Sequence, residues 1–243
     1  MTERPQKLAR AFDSPDAKRA YNRRLFATIA PRYDLITRML SCGQDARWKR
    51  RVAGIVRAEG GPRVLDLACG TGDVALSLAA SHDVVGLDLT PEMLALARAR
   101  ARTSGLPVSW IAGDMTHLPF AGASFDVVTT SYGLRNVPAL DAALREIARV
   151  LRPNGLLVSL DFNRPRRPIV RAVYLGYLTA VGALLGLALH RDSETYRYIP
   201  HSIRRYPGAS GVAALMKENG FAPDVRIEPK LGGLMTIHVA RTI

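Results

Sequence analysis

The sequence predicts an α/β protein, a mostly parallel sheet with helices on both faces. Three observations carry this. From residue 64 onward, short apolar runs alternate with helical patterns. The first run, residues 64–67, feeds a glycine turn, Gly70-Thr71-Gly72, and then a helix marked by Val74, Leu76 and Leu78. Three separate strand regions carry an aspartate at or near the carboxyl end: Asp66, Asp88 and Asp114. In open α/β sheets ligands bind beyond the carboxyl ends of the strands, so these acids and glycines mark one edge as the binding edge.

The elements follow in order. Residues before about Phe12 are expected to fray. The run 83–88 reads as a second strand, and Asp88 at its end suits both hydroxyls of a ribose. Thr90 then caps a helix, Pro91 takes its first turn, and Met93, Leu94 and Ala97 share its buried face. A third strand, 108–111, leads to Gly113-Asp114-Met115, where an acid followed by an apolar side chain suits an adenine amino group and ring face. A fourth, 125–130, ends at Ser131, followed by Tyr132-Gly133-Leu134-Arg135-Asn136-Val137. A fifth follows Gly155 and reaches Leu160-Asp161-Phe162. The runs 221–227 and 234–239 read as the last two strands.

The glycine loop admits two ligands. Gly70 and Gly72 let the backbone come close to a ligand, and with Ala75 they also fit the dinucleotide fingerprint. Asp66 discriminates. A carboxylate just before the turn would repel a phosphate, whereas the amine of S-adenosyl-L-methionine would suit it. A nicotinamide-dependent reductase stays open at this point, although no Tyr-x-x-x-Lys accompanies the loop.

Composition narrows the class. The 243 residues, 48% of them hydrophobic, fit one domain or one domain with insertions. Cys42 and Cys69 suggest no disulfide framework. The five histidines show no metal-ligand spacing, so no metal is expected. No apolar signal segment opens the sequence, and a cytoplasmic protein is expected. The net charge of +13 comes from basic clusters at Lys18-Arg19, Arg23-Arg24, Arg47 to Arg51, Arg164 to Arg171 and Arg204-Arg205. Nucleic-acid binding would interleave aromatic residues with these charges. Aromatics make up only 7% of the chain, so contact with an anionic membrane is the better reading and no nucleic acid is expected.

Four segments then converge on one family: Tyr33-Asp34 through Ser41 to Trp48, the loop from Asp66 to Asp73, the run from Tyr132 to Val137, and Arg149-Val150-Leu151-Arg152-Pro153-Asn154-Gly155 leading to Asp161. A weaker fifth is Ser193-Glu194-Thr195-Tyr196-Arg197-Tyr198-Ile199 with Ser202-Ile203. The chain resembles the ubiquinone/menaquinone biosynthesis C-methyltransferases, which are class I S-adenosylmethionine-dependent enzymes. The resemblance implies a Rossmann-like sheet of seven strands, an N-terminal helical cap over residues 1–55 and a methyltransferase domain over 56–243. It implies cofactor contacts from Asp66, Gly70, Thr71, Gly72, Asp88, Asp114, Met115 and Ser131. It also implies catalytic roles for Arg135, Asn136 and Tyr33. Arg135 would stabilise a developing phenolate and hold a water, since a guanidinium is no general base. Tyr33 would join that hydrogen-bond network. The plainer alternative for Arg135 is a salt bridge with Asp161 or Glu146. Thr37, Asp45, Asn154 and Asp161 depart from the family's usual residues.

Residues 172–189 form an 18-residue stretch without a charge, flanked by Arg171 and by His190-Arg191. That length is at the lower limit for a membrane span. A span would put the last two strands on the far side, so the stretch is read as a hydrophobic insertion, about 165–205, after the fifth strand. One or two helices there could enclose a polyprenyl chain and touch the membrane surface. The expected activity is C-methylation of a polyprenyl-quinol ring, demethylmenaquinol to menaquinol, with the ubiquinone-pathway benzoquinol or another small aromatic as the alternative acceptor. A non-catalytic subunit of a quinone-synthesising assembly and a homodimer remain open, as does work at the inner face of the membrane.

Overall fold

A computed structural model describes Leu8, residues 12–190 and residues 196–243. The expected fraying before Phe12, the flanking Arg191 and the Ser193-Glu194-Thr195 part of the fifth segment lie outside the described residues, Leu8 apart. Helices α1 (Pro15–Ile29), α2 (Tyr33–Leu40) and α3 (Asp45–Glu59) precede β1 (Arg63–Leu67). There follow α4 (Asp73–Leu78), β2 (Asp83–Asp88), α5 (Pro91–Ser104), β3 (Ser109–Ala112), β4 (Phe125–Ser131), α6 (Leu140–Val150) and β5 (Leu151–Phe162). Then come α7 (Pro168–His190), α8 (Tyr198–Arg205), α9 (Ala209–Glu218), β6 (Arg226–Lys230) and β7 (Met235–Arg241).

The strands form one seven-stranded sheet in the order β3-β2-β1-β4-β5-β7-β6. The first five pair in parallel, and β7 runs antiparallel to both β5 and β6. The order reverses at β1, so the crevice between the carboxyl ends of β1 and β4 is the topological switch point where ligands bind. Apolar side chains cover both faces of the sheet. One core joins Leu65, Leu67 and Val128 to Leu144 and Ile147 of α6. The other joins Val64 and Val127 to Val52 and Val56 of α3. A third core, away from the sheet, joins Ile36 and Leu40 of α2 to Tyr174, Leu175, Leu178 and Leu185 of α7. Each of those α7 side chains stabilises the docking of the helix by about 1.5–3 kcal/mol.

Two local expectations need correction. The run 221–227 is not a strand. Phe221 makes an isolated bridge with Thr242 and buries its ring, and Pro223 and Asp224 delay the strand until Arg226. Thr90 stands at the N-cap of α5, but its hydroxyl makes no capping bond; its backbone N–H instead donates to Asp88 Oδ1 at 2.8 Å. The charge-free stretch, expected within an insertion of one or two helices, is the larger part of one continuous 23-residue helix, α7, that begins at Pro168. Helix α3 crosses residues 55–56 and packs on the sheet.

Candidate active site

The loop after β1 and the loop after β4 face each other, and both are strained. Ala68 has φ +50° and Tyr132 has φ +64°, a left-handed conformation that an aromatic residue rarely adopts. Tertiary packing holds both. Gly133 is required beside Tyr132, because a Cβ there would stand 2.3 Å from Thr130 Oγ1 and 2.9 Å from Ala68 Cβ. Gly70, at φ +54°, has only Tyr33 within 4 Å of where a Cβ would point, so this turn stays open.

Three hollows meet here. A cleft at the strand ends is lined by Gly70, Asp88, Asp114, Met115 and Ser131, together with Arg19 and Asn22 of α1. A smaller hollow beside it is lined by Asp66, Gly70, Thr71, Lys49 and Asp73. The third is an apolar cavity of about 560 Å³ roofed by α2, α7 and α8, with Arg135, Asn136 and Phe162 in its wall. Tyr33 lines all three. Phe26, Tyr132 and Asn136 line both the cleft and the apolar cavity.

Each acid at the cleft is held differently. Asp66 is buried; its Oδ1 accepts from Thr129 at 2.7 Å and its Oδ2 from the Ala75 N–H at 3.1 Å. Burial pushes its carboxyl up to about 7 despite those two bonds. It lines the small hollow, not the cleft that holds Asp88 and Asp114. Asp88 accepts the Gly70 N–H at 2.8 Å and so clamps the glycine turn to the end of β2. Burial raises its carboxyl as well, against those backbone bonds. Asp114 Oδ1 accepts from Thr116, and Oδ2 from Arg19 Nε at 2.5 Å. Burial alone would raise Asp114; the Thr116 and Arg19 bonds overrule it and hold the carboxyl below its ordinary range. Arg19, 95 residues away in the sequence, was not foreseen as its partner.

Ser131 Oγ and Asn136 Oδ1 are buried beside the cleft without a partner among the described residues. An unpaired buried polar atom costs about 1–3 kcal/mol, which a polar ligand would recover. Hydrogen-bonding atoms, paired acids and an open glycine turn at a switch point fit an adenosyl ligand carrying a cationic amino-acid end.

At the wall of the apolar cavity Arg135 is nearly fully buried. Its backbone N–H donates to Asp161 Oδ2 at 2.9 Å and its Nε stands 3.4 Å from Asp161 Oδ1. Its guanidinium also donates to Ser202 and lies over the Phe162 ring at 4.8 Å. The salt-bridge alternative thus holds for Asp161, while Glu146 pairs with Arg149 instead. The same arginine still lines the cavity, so pairing and facing a ligand are not exclusive here. The Asn136 side-chain amide donates to the Tyr132 carbonyl at 2.7 Å, and the Asn136 backbone carbonyl accepts from the Asn22 side chain at 2.6 Å. Burial pushes the Tyr33 hydroxyl up to about 12, so it is a neutral hydrogen-bonding group.

Sequence reasoning missed a second network. Tyr132 Oη donates to Asp45 Oδ1 at 2.5 Å. Asp45 pairs with Lys49 at 2.8 Å, and Lys49 with Asp73 at 2.9 Å. Burial would lower the Lys49 ammonium, but Tyr33, Asp45 and Asp73 around it raise it instead. Asp45 and Lys49 lie one turn apart at the start of α3, and that spacing was the only sequence signal. Their contact with Tyr132 spans 87 residues.

The family comparison agrees with this geometry. Residues 14–242 match the model of the ubiE/COQ5 methyltransferase family. A demethylmenaquinone methyltransferase from Thermus thermophilus is 42% identical over 218 residues, covering 88% of this chain and 98% of that protein. A ubiquinone/menaquinone biosynthesis C-methyltransferase UbiE from Rubrivivax gelatinosus is 38% identical over 240 residues, covering 97% and 94%. Among solved structures, an S-adenosylmethionine-dependent methyltransferase from Thermotoga maritima superposes with a TM-score of 0.62 at 18% identity, covering 90% of this chain and 98% of that one. The [4+2]-cyclase SpnF superposes at 0.58 with 21% identity, covering 91% and 95%. The last two show the fold alone, and SpnF shows that this fold serves more than one chemistry. The match over nearly the whole length decides the family: the chain belongs to the ubiE/COQ5 methyltransferases.

Proposed function

We propose that the protein transfers a methyl group from S-adenosyl-L-methionine to a ring carbon of a polyprenyl-quinol, converting demethylmenaquinol to menaquinol. The observation that carries this is the shared wall. Phe26, Tyr33, Tyr132 and Asn136 line both the acid-edged cleft and the large apolar cavity, so two ligands of opposite polarity would meet across them. The named relatives act in menaquinone and ubiquinone biosynthesis, which supports the same acceptor class.

S-adenosyl-L-methionine, when bound, supplies a methyl group made electrophilic by a sulfonium. Asp88 would hold its ribose, Asp114 and Met115 its adenine, and Ser131 with the Gly70-Thr71-Gly72 turn its amino-acid end. Asp66, beneath that turn, would face the amine. The protein's remaining tasks are orientation and proton removal. A quinol ring carbon becomes nucleophilic as the neighbouring hydroxyl loses its proton. Arg135 offers a positive charge in an apolar wall, where it stabilises the forming oxyanion more than it would in water. Tyr33 and Asn136 would orient the ring. Tyr132 Oη would take the proton as it passes its own to Asp45, leaving the negative charge spread on the ring. The methylated carbon then gives its proton to water, which restores the aromatic ring as a phenolate beside Arg135, and the proton held by Asp45 returns through Tyr132 to that oxygen to give the quinol.

The direct test is methyl transfer from labelled S-adenosyl-L-methionine to demethylmenaquinol and to the demethylated benzoquinol, each reduced in detergent. Labelled product from the naphthoquinol alone is expected. Product from the benzoquinol alone would move the assignment to the ubiquinone pathway. Tight cofactor binding with product from neither acceptor would overturn the quinol reading.

A further inference from the structure

Helix α7 is apolar on both sides. Tyr174, Leu175, Leu178 and Leu185 bury one side in the third core. The other side presents Ile169, Val173, Gly176, Tyr177, Ala180, Leu184 and Leu187. Apart from the adjacent Gly176 and Tyr177, successive spacings of three and four residues put these on one stripe of the helix. No charge interrupts it between Arg171 and His190. Ile169 is 79% exposed, Val173 69% and Leu184 68%, where a water-facing helix would carry lysine and glutamate. Leu35 and Met39 of α2, the neighbour of α7, extend the bare surface.

This stripe contains the rim of the apolar cavity. Ile169, Val173, Tyr177 and Leu231 both line the cavity and stand exposed. A cavity that opens onto water is usually rimmed by polar groups, whereas this rim is apolar. Cations flank it. Arg166 and Arg167 precede α7 and are exposed, whereas Arg171 in its first turn is half-buried on the side of Tyr174, Leu175 and Leu178. Among the described residues Arg167 makes no ion pair and Arg166 bonds only Ser210. A neutral partner would leave these charges unanswered; an anionic lipid surface answers both the charges and the bare stripe.

We propose that the exposed stripe of α7 lies in the interface of an anionic bilayer, with Arg166 and Arg167 on the headgroups and the cavity mouth turned toward the acyl chains. A prenylated quinol would then slide into the cavity sideways without crossing water. The helix lies along the surface and does not span it, because its other side is committed to the protein core. The proposal rests on the quinol reading only for what passes through the mouth; attachment itself is independent of it.

The test is co-flotation of the full chain with phosphatidylglycerol vesicles and with phosphatidylcholine vesicles, without cofactor. Binding to the anionic vesicles, weakened by salt, is expected. The Leu184→Asp/Leu187→Asp variant should lose it by at least tenfold. An Arg166→Glu/Arg167→Glu variant should lose roughly fivefold per residue. Leu184 and Leu187 do not line the cavity, so methylation of a short-chain, water-soluble quinol should stay unchanged in the first variant, which also shows that it folds. No flotation, or equal flotation on neutral vesicles, would overturn the proposal. So would a dimer in light scattering that the same leucine substitutions dissolve, for the stripe would then be a protein interface. Flotation without turnover on any quinol would leave the membrane seat standing and remove the quinol reading instead.

Discussion

The cleft at the strand ends is held together by hydrogen bonds, and the cavity under α7 by packing. In the cleft Asp88 clamps Gly70, and Thr116 and Arg19 hold Asp114; in the small hollow beside it Thr129 and Ala75 hold Asp66. Those positions are set before any ligand arrives. In the cavity, Arg135 and Asn136 are polar groups in a wall of leucine, isoleucine, valine and aromatic side chains. A small polar ligand gains from fixed donors and acceptors. A long hydrocarbon tail gains from area alone and tolerates a looser wall. The molecule thus places its precision at the sheet and its adaptability under the lid.

That contrast can be broken at its hinge. Replacing Arg135→Ala removes the cation at the junction while leaving every cleft acid in place. Turnover should fall by about a hundredfold or more, with cofactor affinity by calorimetry within about threefold. A comparable loss of cofactor affinity would mean that the two regions are not separable. The variant also leaves Asp161 buried without its partner, so a lowered melting temperature is expected beside the kinetic loss.

A milder change acts on the cavity alone. Val173→Trp narrows the rim. The KM for a long-chain quinol should rise about tenfold, and that for a short-chain quinol should hardly move. Equal effects on both would show that the tail does not use this wall.

The smallest effect sharpens the cleft side. Asp66 titrates at about 7 in the fold, against an ordinary 3.8. A cationic amine binds its ionised form, so S-adenosyl-L-methionine affinity should weaken below pH 7, by up to about tenfold per unit. Calorimetry at pH 8, 7 and 6 reads this slope, and Asp66→Asn should flatten it. Without ligand the sign reverses. The folded state holds this proton more tightly, so the group's contribution to stability is full below about pH 4 and is lost as pH rises through 7.

The sequence made the sheet and its acid edge readable because local rules govern them. An apolar run carrying an acid near its end, followed by glycine or a cap, was enough for Asp66, Asp88 and Asp114. The first four parallel strands fell within a residue of their expected bounds, whereas the fifth begins at Leu151, ahead of the Gly155 it was expected to follow. The antiparallel edge was harder. Strand β6 carries Arg226, Glu228, Pro229 and Lys230, so its polarity resembles a loop, while Phe221 before it looks like a strand but only fills the core. Contacts between distant segments were out of reach. Nothing local joins Tyr132 to Asp45 or Asp114 to Arg19, since each pairing is made by docking the first three helices on the sheet. Membrane contact was expected for the charge-free stretch as a whole, but which side of α7 stands bare was hidden, because hydropathy does not tell an exposed stripe from a buried one.

Tyr33 faces all three hollows. One ring shared by two binding regions cannot respond to one ligand without the other registering it. If a quinol strengthens the hold on the methyl donor through this ring, the donor must strengthen the hold on the quinol by the same factor. Release of the demethylated donor would then loosen the menaquinol, and turnover would carry its own order of departure.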